Sequence, residues 1–350
     1  MGQSVSGPKI PECESQALRD LFAALRPPNP PPQPTRSSLP SSISDKRSED
    51  WTGITVELGH VVGIELPKND LSGVLPASMD QLTYLRVLNL SSNAIHGEIP
   101  ASLGKLRRLT LLDLSCNHLE GALPLEIAQC IHLQHLSLQQ NALDGTNSYG
   151  GVIPKCTGPL PPALGQLRRL KSLSLEYNSF SGELPPSISQ LVALERLNVR
   201  SNCLGGDIPT DIGRLVHLKF LSLRNNAFRG SIPHSLGHCT ALTFLNLSSN
   251  NLTGASSEQR FCTVPSSLAH LTHLKHIYLF GNAIEGEIPA QLTQIVQVQE
   301  MDFKHKMLAA GRDLSKTRHP SLVNQSNNDE ELETELDKVT IHNDHDFAVS

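Results

Sequence analysis

LNLSSNAIHGEIPASLGKL, residues 88–106, decides the fold because closely similar stretches return along the chain. Two of them are LSLEYNSFSGELPPSISQL at 173–191 and LSLRNNAFRGSIPHSLGHC at 221–239. Alignment on the leucines gives a 24-residue unit with nine copies, which can be followed from Val61 to Gln294. One unit of this length cannot close a hydrophobic core, so the copies must stack on one another. The sequence therefore predicts an α/β repeat solenoid.

Each unit has the same internal order. Leu88 and Leu90 alternate with polar neighbours, as a short strand with one buried face requires. Gly97 then allows a positive φ or a tight approach, and Leu103 and Leu106 return the chain to the core. We therefore predict one short strand per repeat, parallel to the next.

An asparagine recurs at one position of every unit. Where the chain leaves the strand and turns inward, backbone donors and acceptors become buried, and an amide that both donates and accepts can satisfy them. We predict a structural ladder of nine such residues, Asn69, Asn93, Asn117, Asn141, Asn178, Asn202, Asn226, Asn250 and Asn282.

The unit LxxLxxLxLxxNxLxGxIPxxLGxL resembles the plant-type leucine-rich repeat of receptor-like kinases, receptor-like proteins and polygalacturonase-inhibitor-like proteins. The resemblance covers roughly two thirds of the chain. It implies a horseshoe whose short parallel strands line the concave face. It also implies a cap around Trp51. In secreted relatives, the sequence of this cap usually resembles CxWxGVxC. This chain has Glu49 and Val56 at the cysteine positions, so we expect no cap disulfide.

Composition divides the chain into five segments. Helical spacing of apolar residues predicts a cap helix, Pro-rich and Ser-rich composition predicts a linker, and a polar acidic end predicts disorder. The predicted segments are a flexible leader at 1–13, the cap helix at 14–26, the linker at 27–50, the solenoid with its caps at 51–308 and the disordered tail at 309–350. Insertions interrupt two repeats, at 146–157 and 255–262.

Several classes of function are disfavoured. The net charge of −5 and the scattered basic residues argue against nucleic acid as a partner. The sequence contains no long apolar run typical of a transmembrane helix, and its start has no apolar core of a signal peptide. It contains no phosphate-binding loop, kinase catalytic segment, nucleophile elbow or metal-binding helix motif. We therefore predict a non-enzymatic protein with no cofactor and no metal.

Cysteines and glycosylation motifs bear on the compartment. The seven cysteines are odd in number and form no closely spaced pair, which favours reduced thiols in the cytosol. Asn89, Asn246, Asn251 and Asn324 begin N-glycosylation sequons, which matter only on the secretory route. Three of these sequons arise because the repeat sequence contains Asn-Leu-Ser or Asn-Leu-Thr.

Outward strand positions of the later repeats carry rings and arginines, although aromatic residues are only 4% of the chain. Arg and aromatic side chains contribute most of the binding energy of interfaces, so we predict a partner-binding patch on the concave face. The alternative is that the rings merely cover the sheet and the arginines keep it soluble. The predicted patch comprises Glu176, Arg196, Arg200, Phe220, Arg224, Phe244, Tyr278 and Phe280.

These observations predict an intracellular interaction protein, of signalling or scaffold type, that binds a protein partner of unknown identity. The alternative is an extracellular recognition protein, similar to a receptor ectodomain or a glycosidase inhibitor, whose leader is missing from the sequence. The start MGQSVS matches the N-myristoylation pattern with Gly2 as acceptor, and an unmodified cytosolic protein is the alternative. One acyl chain binds membranes weakly, with an association constant of about 10⁴ per molar. We therefore expect a cytoplasmic location that includes reversible contact with the cytoplasmic face of a membrane.

Overall fold

The computed structural model describes residues 10–25, 52–141, 157–253 and 263–284, together with 289, 292 and 300–302. The chain divides into Met1–Met307 and Leu308–Ser350, and all the described residues belong to the first unit. The predicted linker, the predicted tail and nearly all of both insertions lie outside the described residues, so the predicted segment bounds remain predictions.

The repeat pattern produces many short elements. The helix α1 spans Glu12–Ala24. In chain order, the strands are β1 Ile54–Glu57, β2 His60–Glu65, β3 Ser72–Gly73, β4 Val87–Asn89, β5 Ala94–Glu98, β6 Leu111–Asp113, β7 His118–Glu120, β8 His135–Ser137, β9 Thr157–Pro159, β10 Ser172–Ser174, β11 Ser179–Glu183, β12 Arg196–Asn198, β13 Cys203–Asp207, β14 Phe220–Ser222, β15 Ala227–Gly230, β16 Phe244–Asn246, β17 Asn251–Leu252, β18 His276–Tyr278 and β19 Glu300–Asp302. Short 3-10 helices close the repeats at Ala77–Gln81, Ala101–Lys105, Leu125–Gln129, Pro162–Gln166, Pro186–Gln190, Ile212–Arg214, His234–His238 and Ser266–His270.

Within the described residues, eleven strands form one sheet in the order β1, β2, β4, β6, β8, β10, β12, β14, β16, β18, β19. The pair β1 and β2 is antiparallel, and the later pairs are parallel, as the repeat pattern predicts. The register is constant, so Ser172, Arg196, Phe220, Phe244 and His276 are direct neighbours across successive strands. Each repeat position therefore forms a column across the sheet.

Two further sheets are built from the segments that follow the turns, so the prediction of one strand per repeat is wrong where a repeat contributes a second strand. The first contains β9, β11, β13, β15 and β17, which we call the lateral sheet, and the second contains β3, β5 and β7. Their paired strands are parallel, because every repeat presents the same segment in the same direction.

The core is one aliphatic cluster that runs through the stacked repeats. In a single repeat, Leu88, Leu90, Ile95, Leu103 and Leu106 are completely buried. Full burial of one such side chain contributes about 1.5–3 kcal/mol, and each repeat supplies several. Because a repeat contacts only its neighbours, this burial exists only when the repeats are stacked. The predicted solenoid is confirmed.

The ladder asparagines link neighbouring repeats. Asn202 accepts a hydrogen bond from the backbone N–H of Phe180 (3.0 Å) and donates to the carbonyls of Leu175 (2.9 Å) and Val199 (3.0 Å). Asn69 differs, since its amide donates to the carbonyl of Pro67 two residues earlier. The arrangement seen at Asn202 recurs at Asn93, Asn117, Asn141, Asn226, Asn250 and Asn282.

Residues with positive φ lie on both sides of the ladder asparagine. Gly97 has φ of 77°, so the positive φ that the sequence allows at this glycine is present, although the residue lies within β5 rather than in a turn. The residue before the ladder asparagine is also left-handed although it carries a side chain, as at Ser92 (φ 56°) and Asn225 (φ 53°). The repeat therefore forces an unfavourable conformation once per turn, which the surrounding hydrogen bonds maintain.

The helix α1 caps the first repeat, and it begins and ends two residues before the predicted bounds of 14–26. Leu18 and Leu21 are completely buried on its inner side. Glu14 is also buried, and two contacts compensate for the loss of water around its carboxylate: it accepts a hydrogen bond from the N–H of Val61 (2.8 Å) and lies 2.7 Å from His60 Nδ1. The His60 ring stacks on Tyr84 at 3.7 Å between centroids. No helix in the described part of the chain is long and apolar enough to cross a membrane.

Candidate partner-binding face

The eight predicted binding residues lie on the side of the eleven-stranded sheet that faces away from the buried leucines, which we call the strand face. The constant register sorts them into three columns. The first column contains Arg196, Phe220 and Phe244, the second contains Tyr278, and the third contains Glu176, Arg200, Arg224 and Phe280.

The first column is a continuous stack. The guanidinium carbon of Arg196 lies 3.7 Å from the centroid of the Phe220 ring. Phe220 and Phe244 are parallel, with centroids 4.5 Å apart and planes 4° apart. Phe244 is also tilted against Tyr278 (5.6 Å) and His276 (5.9 Å). Neighbouring strands are about 4.8 Å apart, which suits ring stacking when one register position is aromatic in successive repeats.

The third column holds two further cation–π contacts. Arg200 lies 5.0 Å from the centroid of Tyr177, and Arg224 lies 5.9 Å from that of Phe280. The predicted patch did not include Tyr177, which belongs to the turn, or His276. The spacing that places Tyr278 and Phe280 on the strand face also places His276 there, six residues before the ladder asparagine Asn282.

Most of the predicted binding residues are less exposed to solvent than their outward strand positions indicate. Arg196 (5%), Arg200 (3%), Phe220 (6%), Phe244 (2%) and Tyr278 (3%) are nearly completely buried. The prediction that these side chains are exposed is therefore wrong. Their stacking is one physical reason, because each ring or guanidinium hides a face of its neighbour.

The same correction applies to Glu176, which is 3% exposed, whereas Arg224 and Phe280 are half-buried. Each charged side chain of the patch has a hydrogen bond, an ion pair, a ring contact or another electrostatic interaction. Buried charge is tolerated when it is paired in this way. The patch is thus a packed surface in which Arg224 and Phe280 are the more accessible members.

Another set of strand-face residues has a local structural role. The carboxamide oxygen of Asn89 accepts hydrogen bonds from the N–H (3.1 Å) and the hydroxyl (2.7 Å) of Ser91. Asp113 accepts the same two bonds from Ser115, at 3.0 and 2.6 Å. These are turns closed by a side-chain oxygen two residues earlier, and either Asn or Asp supplies that oxygen.

The described cysteines are unpaired. Cys13 and Cys203 are exposed, Cys116 is half-buried, and Cys130 and Cys239 are buried. Burial raises the pKa of the Cys130 and Cys239 thiols to about 12, so both are protonated at neutral pH. The other two cysteines, at positions 156 and 262, lie outside the described residues, as does Gly2, for which myristoylation stays a prediction.

Residues 285–288 and most of the last repeat also lie outside the described residues, so the described strand face ends at β19. Among the described residues, no group of three or more His, Cys, Asp or Glu side chains could hold a metal ion. The strand face of the later repeats is a row of guanidinium groups and aromatic rings, most of them buried against one another.

Comparison with known families matches a leucine-rich repeat region to residues 151–327, just over half of the chain, and a leucine rich repeat to residues 59–119. Phytosulfokine receptor 2 of Arabidopsis thaliana is 36% identical over 95 residues, which cover 26% of this chain and 8% of that receptor.

Two solved structures extend the similarity. The Arabidopsis receptor kinase HAESA, solved with the peptide hormone IDA and the co-receptor SERK1, is 27% identical with a TM-score of 0.67, over 81% of this chain and 44% of that one. A TDR receptor is 32% identical with a TM-score of 0.55, over 65% of this chain and 40% of that one. The chain therefore spans less than half the length of these receptors. Together with the 24-residue period and the stacked strands, the family match shows that the chain belongs to the leucine-rich repeat family, with repeats of the plant type.

Proposed function

We propose that this chain is a non-catalytic, extracellular recognition module that binds an extended peptide or protein segment on its concave strand face. The observation that carries the proposal is the continuous stack of Arg196, Phe220 and Phe244, flanked by Arg200 and Arg224. The two similar solved structures described above are receptor proteins, and one of them was solved with a peptide hormone and a co-receptor.

The chemistry of the face indicates what it would bind. Guanidinium groups donate several hydrogen bonds in one plane and suit carboxylates and backbone carbonyls. Aromatic rings offer flat apolar area at a low cost in side-chain entropy. We therefore expect a segment that combines acidic with aromatic or aliphatic side chains. Such a segment meets the half-buried Arg224 and Phe280 first and reaches the buried members only by replacing their present contacts.

The extracellular location is supported by the similarity to receptor ectodomains, one of which was solved with a peptide hormone ligand. An intracellular interaction protein is the second candidate, and a specific observation favours it. Val56, which stands at a cysteine position of the secreted cap, lies within β1 and packs against the core. Fractionation of cells that express the full chain distinguishes the two locations, since the proposal requires the protein in the extracellular fraction.

Binding is tested by selection from a phage-displayed library of random peptides on the immobilised full chain. The selected peptides are then titrated against the double variant Arg200→Glu with Phe220→Ala. We expect the dissociation constant to rise by about tenfold or more, because loss of an interface anchor costs about 1–2 kcal/mol.

The matched control is Arg214→Glu with Val216→Ala, which makes the same types of change at two exposed positions off the strand face. Because the first pair is buried and could affect folding, Arg224→Gln at a half-buried position is titrated as well, and the thermal midpoint of every variant is measured. Equal affinity of wild type, Arg224→Gln and a folded double variant would refute the proposed face, as would an equal loss in the control.

A further inference from the structure

We propose that Asn251 carries an N-linked glycan, an inference that rests on the extracellular location proposed above. The motif is Asn251-Leu252-Thr253, one of four sequons in the chain. The structure separates three of them by the environment of the acceptor amide, and the fourth, at Asn324, lies outside the described residues.

The side chain of Asn251 is open to solvent. It belongs to β17, in which Leu252 is completely buried and Asn251 is exposed, so the two side chains point to opposite faces of the strand. Among the described residues, the Asn251 amide makes no side-chain hydrogen bond. A glycan is bulky and needs an exposed attachment point, which this position provides.

By contrast, the side chains of Asn89 and Asn246 are buried and hydrogen-bonded. Asn246 is completely buried, and its side-chain oxygen accepts hydrogen bonds from the N–H (3.0 Å) and hydroxyl (2.6 Å) of Ser248, the third residue of its own sequon. Asn89 is 7% exposed and makes the same turn with Ser91. The fold needs an oxygen acceptor at this position, and Asp113 supplies it in another repeat without creating a sequon.

The repeat does not require an asparagine where Asn251 lies. This position, directly after the ladder residue, is occupied in other repeats by Ala94, His118, Ser179, Cys203 and Ala227. The side chain at this position therefore has no structural role that recurs from repeat to repeat, unlike the side chains of Asn89 and Asn246. Asn251 is the described sequon whose modification leaves every turn of the repeat intact.

The location of Asn251 is also compatible with partner binding. It lies in the lateral sheet, where it pairs with Arg229 of β15, whereas the arginine and phenylalanine stack lies in the eleven-stranded sheet. A glycan on Asn251 is therefore attached to a different sheet from the one that presents the proposed binding face.

The modification is a group transfer from a lipid diphosphate-linked oligosaccharide. Asn251 Nδ2 forms a bond to the anomeric carbon of the first N-acetylglucosamine, and the bond from that carbon to the diphosphate oxygen breaks. The lipid diphosphate leaves with the bonding electron pair, and the amide nitrogen loses one proton. No oxidant or reductant is needed.

The test uses the full chain in two forms, one isolated from cells that express it naturally and one secreted behind an added signal peptide. Glycopeptide mapping by mass spectrometry assigns each glycan to its peptide. We expect both forms to carry a glycan on the peptide that contains Asn251. It should be lost in Asn251→Gln and Thr253→Ala and retained in Thr253→Ser.

The matched controls are Asn89→Asp and Asn246→Asp, which remove a sequon but keep the oxygen acceptor that Asp113 shows to be sufficient. They should leave the Asn251 glycan unchanged. A secreted form with an unmodified Asn251 peptide would overturn the site itself. A secreted form with the glycan and a natural form without it would overturn the extracellular location, and with it the modification in the native protein, without affecting the peptide-binding test.

Discussion

In most of the described repeats, one asparagine connects backbone groups that belong to two different repeats. Asn202 joins the strand of its own repeat to the strand and turn of the preceding one through a single carboxamide. The residue before it, Ser201, has φ of 53°, so a strained backbone and a bridging side chain are adjacent. The amide therefore stabilises a turn that the backbone alone would disfavour.

Substitution of Asn202 by alanine leaves the buried backbone groups of Phe180 and Leu175 without this partner. We expect the free energy of unfolding to fall by about 1–3 kcal/mol, the cost of unsatisfied buried polar groups. Urea denaturation followed by circular dichroism measures the change. The control is Asn69→Ala in the same column, where the amide makes a local bond to Pro67 and the loss should be smaller. Equal effects at both positions would contradict the bridging role.

Two buried cysteines, Cys130 and Cys239, make the free energy of unfolding depend on pH. Burial raises the pKa of Cys130 and Cys239 from 9.0 to about 12 in the folded chain. The folded state therefore holds these protons more tightly than the unfolded state, so their stabilising contribution is complete below pH 9 and is lost as pH rises towards 12. Both residues occupy a position that is leucine in other repeats, as at Leu215.

We expect the double variant Cys130→Leu with Cys239→Leu to lose less stability than the wild type between pH 9 and 12, because it lacks both titrating thiols. Urea midpoints across this range measure the difference. At pH 8, iodoacetamide should modify the exposed Cys13 and Cys203 in the native protein but not the two buried thiols. Parallel midpoint curves for wild type and variant would show that these thiols do not contribute.

At the scale of the element, α1 closes an end that the repeats cannot close themselves. Its apolar side covers the first repeat, and Glu14 fixes its position by two contacts to β2, one with the Val61 N–H and one with His60. His60 in turn stacks on Tyr84, and the guanidinium of Arg108 lies 4.1 Å from the Tyr84 ring. The cap is thus connected to the following repeats by a chain of polar and aromatic contacts.

Glu14→Ala removes the buried carboxylate and leaves the Val61 N–H without its acceptor. We expect a loss of about 1–3 kcal/mol in unfolding free energy. Glu12→Ala on the same helix is the control, because Glu12 is exposed and pairs with Arg19 at the surface, where ion pairs contribute about 0–1 kcal/mol. Denaturation midpoints compare the two. A loss at Glu14 no larger than that at Glu12 would argue against the anchoring role.

At the scale of the whole molecule, the first unit is a stack of repeats. The constant register of this stack determines which side chains of successive repeats touch. Since every repeat contacts its neighbours in the same register, residues about one repeat apart become a column of touching side chains. Arg196, Phe220 and Phe244 form a stack for this reason. The eleven-stranded sheet carries the proposed binding face, and the lateral sheet carries the proposed glycan, so the two proposals concern different sheets of one scaffold.

The sequence by itself determined the solenoid, the position of the strand that each repeat contributes to the eleven-stranded sheet, the positive φ at Gly97 and the side of the sheet on which the patch residues lie. All of these follow from a local period, because burial of the same leucines in every copy fixes which way each neighbour points.

The tertiary structure decided exposure and long-range contacts. Arg200 and Phe220 are buried rather than open, Glu14 pairs with His60 across 46 residues of sequence, and Asn251 rather than Asn246 offers a free sequon. These properties depend on which side chains of other repeats touch a given position. A repeat pattern specifies the direction of a side chain, but only the assembled stack determines how much of it remains in contact with water.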